Sequence, residues 1–300
     1  MQINMIRSDK VYQEMLELPL EKREGCFRAK ILAPFAMKYQ TQHIPLKAKY
    51  PGGFDALFLL GFMNQLPSTL SEKDRPAIDS LSSDQLWQDC QDTIKRSIGL
   101  FKQAGYDLEV EDYHFTILLG NPEKAMLQLN KGYSGDGGIP GYLMLSILPN
   151  DYTLPRIQAA LAHECNHNVR FQFVKWNQQT TLADWVVSEG LAESFAAELY
   201  GKELIGPWVT STSPEQLEEI KPIISSQLQL TGMAEMAPYL YGDEIAKIQG
   251  QIPVGMPYAA GYSYGYHLIQ AYLKKTGKSI IEATVTPTEE ILEATEDFWK

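Results

Sequence analysis

Apolar residues recur at helical spacing along most of the chain, and this pattern predicts a mainly helical protein. The clearest case in the first hundred residues begins near Ser83 and ends at Gly105. Its apolar positions lie four residues apart at Leu86, Cys90, Ile94 and Ile98. The pattern therefore predicts one long helix with a single buried face.

The pattern changes to that of β-strands between residues 107 and 150. Tyr113–Leu119 and Tyr142–Leu148 are rich in aromatic and β-branched residues, and each run is followed by proline and asparagine. The glycine-rich stretch 132–141 between them lacks the Gly-Lys-Ser/Thr ending of a phosphate loop, which argues against nucleotide binding. We predict an α+β fold with a small mixed sheet packed on a helix.

The chain is predicted to have three regions. Residues 1–106 form an N-terminal helical region, 107–206 a central core with the sheet and two helices, and 207–300 a C-terminal helical region that completes a cleft.

A His-Glu-x-x-His motif lies in a predicted helix that begins near Pro155. Its histidines, His163 and His167, are four residues apart and therefore share one helix face, about 5–6 Å from each other. Both imidazoles can then reach one metal ion, and Glu164 lies beside them, where it can take a proton from water. The motif predicts a metal-dependent hydrolase.

A second predicted helix runs from Thr181 to Gly201 and carries two more acidic residues at a spacing of four, Glu189 and Glu193. Its other positions include tryptophan, valine and alanines, so burial of both carboxylates requires a nearby cation. A zinc ion and its histidines would supply that charge. The alternative is an ordinary pair of solvated glutamates on an acidic protein.

The two motifs together resemble the gluzincin metallopeptidases, and the run from Leu154 to Gly201 is similar to a bacterial family of predicted zinc-dependent proteases. This resemblance implies a zincin-like core, with Glu189 as the third Zn²⁺ ligand. It also implies that Glu193 accepts a hydrogen bond from a ligating histidine. The gap of 21 residues between His167 and Glu189 is slightly longer than in well-known relatives, so the choice of Glu189 over Glu193 stays open.

The same resemblance assigns substrate contacts to the second predicted strand. In gluzincins the strand before the metal helix lies at the sheet edge and pairs with the substrate, which here implies Gly141, Tyr142 and Leu143. An ordinary interior strand is the alternative, because backbone roles leave little trace in side chains.

Tyrosines are concentrated in the run Gly261–Tyr266. In a helix, Tyr258, Tyr262 and Tyr266 would share one face, either as an aromatic packing seam or beside the metal. In these peptidases a tyrosine or histidine donates a hydrogen bond to the oxyanion of the attacked carbonyl, and the resemblance implies this role for Tyr262 first and Tyr266 second. His267 is the rival.

Charge, cysteine content and the length of apolar runs restrict the classes of partner that we expect. The net charge of −11 argues against nucleic acid, since phosphate binding needs clustered lysine and arginine. Three widely spaced cysteines indicate reduced thiols, and Cys165, inside the motif, is expected to be a packed residue instead of a ligand. No apolar run approaches the ~20 residues of a membrane span, so we expect a cytoplasmic protein without a membrane partner.

The sequence therefore predicts a zinc-dependent peptidase that acts on peptide or protein substrates, with Glu164 as the general base. Two alternatives stay open: a zinc-dependent hydrolase of a non-peptide amide or ester, and a non-catalytic binding or regulatory module on the same fold. The oligomeric state and the cleavage specificity are not determined by these patterns.

Overall fold

The computed structural model describes residues 1–299 and shows a mainly helical chain with a small mixed β-sheet. The predicted α+β class is confirmed. The chain forms two compact units: unit 1 comprises residues 1–96 and 109–161, and unit 2 comprises residues 97–108 and the chain from residue 162 onwards. The division into three regions stays a prediction.

Unit 1 contains the whole sheet and the first helices. In chain order its elements are β1 (Gln2–Met5), α1 (Ser8–Glu17), α2 (Leu20–Phe27), α3 (Ala36–Thr41), α4 (Ala56–Leu60), α5 (Arg75–Ser80), the start of α6 (Asp84–Gln103), β2 (Asp112–Leu119), α7 (Ala125–Leu129), β3 (Tyr133–Asp136) and β4 (Tyr142–Ile147). The apolar face predicted for the long helix is that of α6, where Cys90, Ile94 and Ile98 are fully buried.

The strand order is β1-β2-β4-β3, with β1 and β4 parallel to β2, and β3 antiparallel to β4. The expectation that β4 is an edge strand is therefore wrong. The glycine-rich stretch folds back as β3 and covers Met144–Ile147, while Gly141 accepts a hydrogen bond from the His114 N–H on the other side. Tyr142 and Leu143 pair with β2 but lie beyond the end of β3. A substrate role for Gly141, Tyr142 and Leu143 stays a prediction.

Unit 2 consists of helices. They are the end of α6, most of α8 (Ile157–Phe173), then α9 (Leu182–Tyr200), α10 (Pro207–Thr210), α11 (Pro214–Ser225), α12 (Met233–Tyr241), α13 (Asp243–Ile248), α14 (Ala260–Thr276), α15 (Ile280–Val285), α16 (Thr288–Ala294) and α17 (Glu296–Trp299). Within residues 1–299, no helix is both long enough and apolar enough to cross a membrane.

Helix α9 has the termini that its sequence predicts. Thr181 and Asp184 form a reciprocal capping box, in which the Thr181 side chain accepts from the Asp184 N–H and the Asp184 carboxylate accepts from the Thr181 N–H. Gly201 ends the helix at φ 99°, a conformation that favours glycine. These two ends fix which residues of α9 face inwards.

Two glycines let α9 and α14 cross at very short distance. A Cβ atom at Gly190 would lie 2.1 Å from the Gly265 carbonyl oxygen, and one at Gly265 would lie 1.9 Å from that of Val186. Only glycine permits such an approach. The close crossing brings the tyrosines of α14 beside the acidic residues of α9.

A buried arginine connects α8 to α9 and to the chain that follows α14. The Arg170 guanidinium donates to the Ser188 hydroxyl, to the carbonyls of Thr284 and Thr286, and to the Thr288 hydroxyl. Burial lowers the pKa of Arg170 to about 10, so the side chain stays charged at neutral pH. Four charge-assisted hydrogen bonds thus hold the helix of the motif in place.

Candidate metal centre

Three side chains on α8 and α9 direct nitrogen and oxygen atoms towards one point. His163 Nε2 lies 3.1 Å from His167 Nε2, and the Glu189 Oε2 atom lies 3.3 Å from each of these nitrogens. All three residues are buried. The helix spacing of four residues produces this geometry, because it places both imidazoles on one face of α8 opposite Glu189 of α9.

The three residues fit a zinc ion. Donors that bind one zinc ion tetrahedrally at about 2.0–2.1 Å lie roughly 3.3 Å from each other, close to the observed separations. When the Nδ1 atom of His163 carries its proton, as the adjacent Glu193 carboxylate requires, its Nε2 lone pair points at the other two donors. Such a cluster of lone pairs is repulsive unless a proton or a metal cation lies between them. Two imidazoles and one carboxylate are also the donor set of a catalytic zinc site with one open position.

Glu193 holds the first histidine in position. Its Oε2 atom lies 3.0 Å from His163 Nδ1 and accepts from the Trp208 indole N–H at 2.7 Å, while Oε1 accepts from the Gly206 N–H at 2.6 Å. Three donors therefore surround one buried carboxylate, and they fix both its rotamer and the tautomer of His163.

Sequence reasoning missed Trp208 and Gly206, which follow α9 in the run Gly206-Pro207-Trp208. A Cβ atom at position 206 would lie 2.1 Å from the Trp208 ring, so glycine allows the indole to fold back over the site. The only signal in the sequence was a tryptophan, whose indole N–H can only donate, shortly after a helix with acidic residues. This signal does not show which acceptor the indole meets.

The electrostatic potential of the site is strongly negative. Burial lowers the pKa of His163, but hydrogen bonds to Glu189 and Glu193 and the charge of Glu164 outweigh it and raise the pKa well above its ordinary value. Burial raises the pKa of Glu189, but the facing imidazoles lower it to about 2. Three carboxylates around two imidazoles leave a demand for positive charge that a divalent ion satisfies.

Of the tyrosines of the α14 run, Tyr262 is the one whose pKa is affected by both Glu189 and Glu164. Burial raises the pKa of its phenol well above the ordinary value, and the charges of Glu189 and Glu164 raise it further, so the hydroxyl keeps its proton. Tyr266 is buried on the same helix, and its pKa is raised by burial and by Glu193. Tyr258 precedes α14 and so does not share its face.

His267, the alternative to the tyrosines as oxyanion donor, has different surroundings from Tyr262. Burial and the charge of Lys221 on α11 lower the pKa of His267. No interaction of His267 with the three donors of the candidate site appears among the described residues. Cys165 is fully buried and is not one of those donors.

A closed circuit of ring contacts, which the sequence did not predict, includes the imidazoles of His163 and His167. Centroid separations between successive rings are 4.8–6.2 Å. In order, the members are His163, His167, Phe171, Trp176, Trp185, Tyr241, Tyr262 and Trp208. We call this set the aromatic circuit. It lowers the local polarity around the donors, which strengthens electrostatic interactions there.

A cavity of about 310 Å³ lies next to the circuit. Its lining includes Phe171 and Trp176 of the circuit together with Ser188, which directly precedes Glu189. Phe171 stacks on the His167 ring at an interplanar angle of 7°. The cavity thus shares a wall with the candidate site and has room for an apolar side chain.

Comparisons with known proteins identify the family of the chain. Residues 86–293 match a family model described as "Predicted Zn-dependent protease (DUF2268)". The chain is 35% identical over 285 residues to the uncharacterized protein YjfC of Bacillus subtilis (strain 168), and the match covers 95% of each chain. It is 26% identical over 155 residues to the uncharacterized protein YjaZ of the same strain, covering 50% of this chain and 55% of YjaZ. No solved structure matches significantly. The chain belongs to the family of predicted Zn-dependent proteases.

Proposed function

From this family membership and the geometry of the site, we propose that the protein is a zinc-dependent peptidase. The observation that carries the proposal is the convergence of His163, His167 and Glu189, whose donor atoms lie 3.1–3.3 Å apart in a buried site. Their spacing suits one tetrahedral zinc ion and leaves a fourth position for a reactant, whereas structural zinc is closed by four protein ligands.

Each residue has a defined task in this mechanism. His163, His167 and Glu189 would hold a zinc ion, which would supply a Lewis acid that acidifies water and polarises the substrate carbonyl. The Glu164 carboxylate accepts the proton of the attacking water and passes it to the leaving amine. Glu193 keeps the His163 lone pair directed at the ion.

Tyr262 completes the set as a hydrogen-bond donor. Its phenol stays protonated because burial and the nearby carboxylates raise its pKa. A protonated phenol at this place stabilises the oxyanion that forms when water attacks the carbonyl. The cavity beside Phe171 and Trp176, whose lining also contains charged residues, would accept a side chain of the substrate.

The experiment is a peptide-library cleavage assay on wild type and Glu164→Gln, with the zinc content of both proteins measured. Loss of the general base lowers turnover about 10²–10⁴-fold, while zinc is retained. Glu198→Gln is the matched control, because Glu198 is an exposed residue of α9. Full activity of Glu164→Gln would refute the mechanism. Bound zinc with hydrolysis only of small amides or esters would indicate a different substrate class, and bound zinc without any turnover would indicate a binding module.

A further inference from the structure

One segment of unit 1 has a charge opposite to that of the whole protein. Residues 25–71 contain five basic side chains and one acidic side chain, a net charge of +4, whereas the complete chain carries −11. The basic residues are Arg28, Lys30, Lys38, Lys47 and Lys49, and the acidic residue is Asp55. Such an asymmetry points to an anionic partner.

Two of these cations are free to meet a partner. Arg28 pairs with the buried Asp55 at 2.8 Å, Lys30 with Glu14, and Lys38 with Asp136. Lys47 and Lys49 are exposed, and neither forms an ion pair with any residue of the described range.

Exposed aromatic side chains follow directly in the same segment. Tyr50, Phe54, Phe58 and Phe62 are 69%, 52%, 50% and 50% exposed. Phe58 contacts both Phe54 and Phe62, with ring centroids 5.8 and 5.5 Å apart. We call Phe54, Phe58 and Phe62 the aromatic ridge. Large apolar side chains that remain in water and touch one another mark a binding surface.

The lysines are held beside the aromatic ridge by Asp55, which caps α4. Its carboxylate accepts from the Phe58 N–H at 2.9 Å and from the Ala48 N–H at 3.1 Å, so the loop with both lysines is tied to the start of α4. The backbone that carries the two exposed lysines therefore lies next to the start of α4, where the ridge is located.

The combination of phenylalanine and lysine identifies the partner. Aromatic residues also suit protein interfaces, but lysine is depleted there. Segments that lie on a membrane surface combine both, because the rings enter the boundary region and the ammonium groups meet anionic head groups. We propose that the aromatic ridge, with Lys47 and Lys49, binds the surface of an anionic phospholipid bilayer. The sequence predicted no membrane partner because no segment could span a bilayer, but surface binding needs no such segment.

Co-sedimentation of the full-length protein with vesicles tests this. We expect binding to phosphatidylcholine vesicles that contain phosphatidylglycerol, and weak binding to phosphatidylcholine alone. Because each lysine near an anionic surface contributes about a fivefold gain in partitioning, Lys47→Gln/Lys49→Gln should lower it about 25-fold. Phe54→Ser/Phe58→Ser should lower binding further. Ile252→Ser, at a residue that is 82% exposed in unit 2, is the matched control and should bind like wild type.

Two results would overturn the proposal. One is the absence of binding to phosphatidylglycerol vesicles, and the other is wild-type binding by Phe54→Ser/Phe58→Ser. The competing explanation is that the ridge is an interface between two copies of the chain, and sedimentation velocity without vesicles tests it. A dimer that Phe58→Ser dissociates, together with no vesicle binding, would support that interface and not the proposal. Thermal melting of each variant checks that the exposed substitutions leave the fold intact.

Discussion

Replacing Trp208 by phenylalanine tests whether the indole N–H, through Glu193, supports the metal site. The substitution keeps an aromatic ring over His163, whose centroid is 6.0 Å from that of Trp208, and removes only the donor to Glu193 at 2.7 Å. Glu193 then retains two of its three donors, Gly206 N–H and His163 Nδ1. With one donor fewer, the Glu193 carboxylate holds the tautomer and direction of His163 less firmly.

The expected loss of zinc affinity follows from the effect of similar hydrogen bonds at other metal sites. Loss of a partner that orients a metal ligand weakens metal binding about 10–100-fold, or about 1.4–2.7 kcal/mol. Competition with a fluorescent chelator measures the zinc dissociation constant directly and needs no substrate. The melting temperature of the zinc-free protein is measured in parallel, and it should change less than that of the zinc-loaded protein.

The control is Trp185→Phe. Trp185 belongs to the same aromatic circuit, with its ring centroids 5.5–5.6 Å from those of Tyr241 and Trp176, but its indole donates to none of the described site residues. This variant should keep the zinc affinity of wild type within about twofold. If Trp208→Phe, correctly folded, also binds zinc as tightly as wild type, the orienting role of Trp208 is refuted.

Three further predictions concern the scaffold and the thiols. Gly190→Ala places a methyl group 2.1 Å from a carbonyl oxygen of α14 and should lower the free energy of unfolding by about 1–3 kcal/mol. Gly25→Ala, whose new methyl group has no atom within 4 Å, should raise the free energy of unfolding by about 0.5–1 kcal/mol. Thermal melting compares the two variants. Thr181→Ala removes the cap of α9 and should cost about 1 kcal/mol in urea unfolding. A maleimide should label Cys26 in the native protein but not Cys90, because Cys90 is fully buried and burial raises the pKa of its thiol to about 12.

Local patterns predicted the helices of the site well. The capping box at Thr181 and the glycine at 201 correctly located both ends of α9, and Pro155 correctly marked the first turn before α8. The two strand patterns correspond to β2 and β4. Strands β1 and β3 were missed. Polar and apolar residues alternate in β1, but four residues are too few to identify a strand, and β3 lies in a glycine-rich run without alternation.

By itself, the sequence determined which residues share a helix face. The spacing of four residues in the His-Glu-x-x-His motif and between Glu189 and Glu193 has a fixed geometric meaning, since helix geometry depends only on neighbouring residues. Only the tertiary structure decided the rest: that β4 is an interior strand, that Trp208 and Gly206 bind Glu193, and that the aromatic circuit includes both histidines. These features join residues that are far apart in the chain, and the packing that brings them together leaves no local pattern.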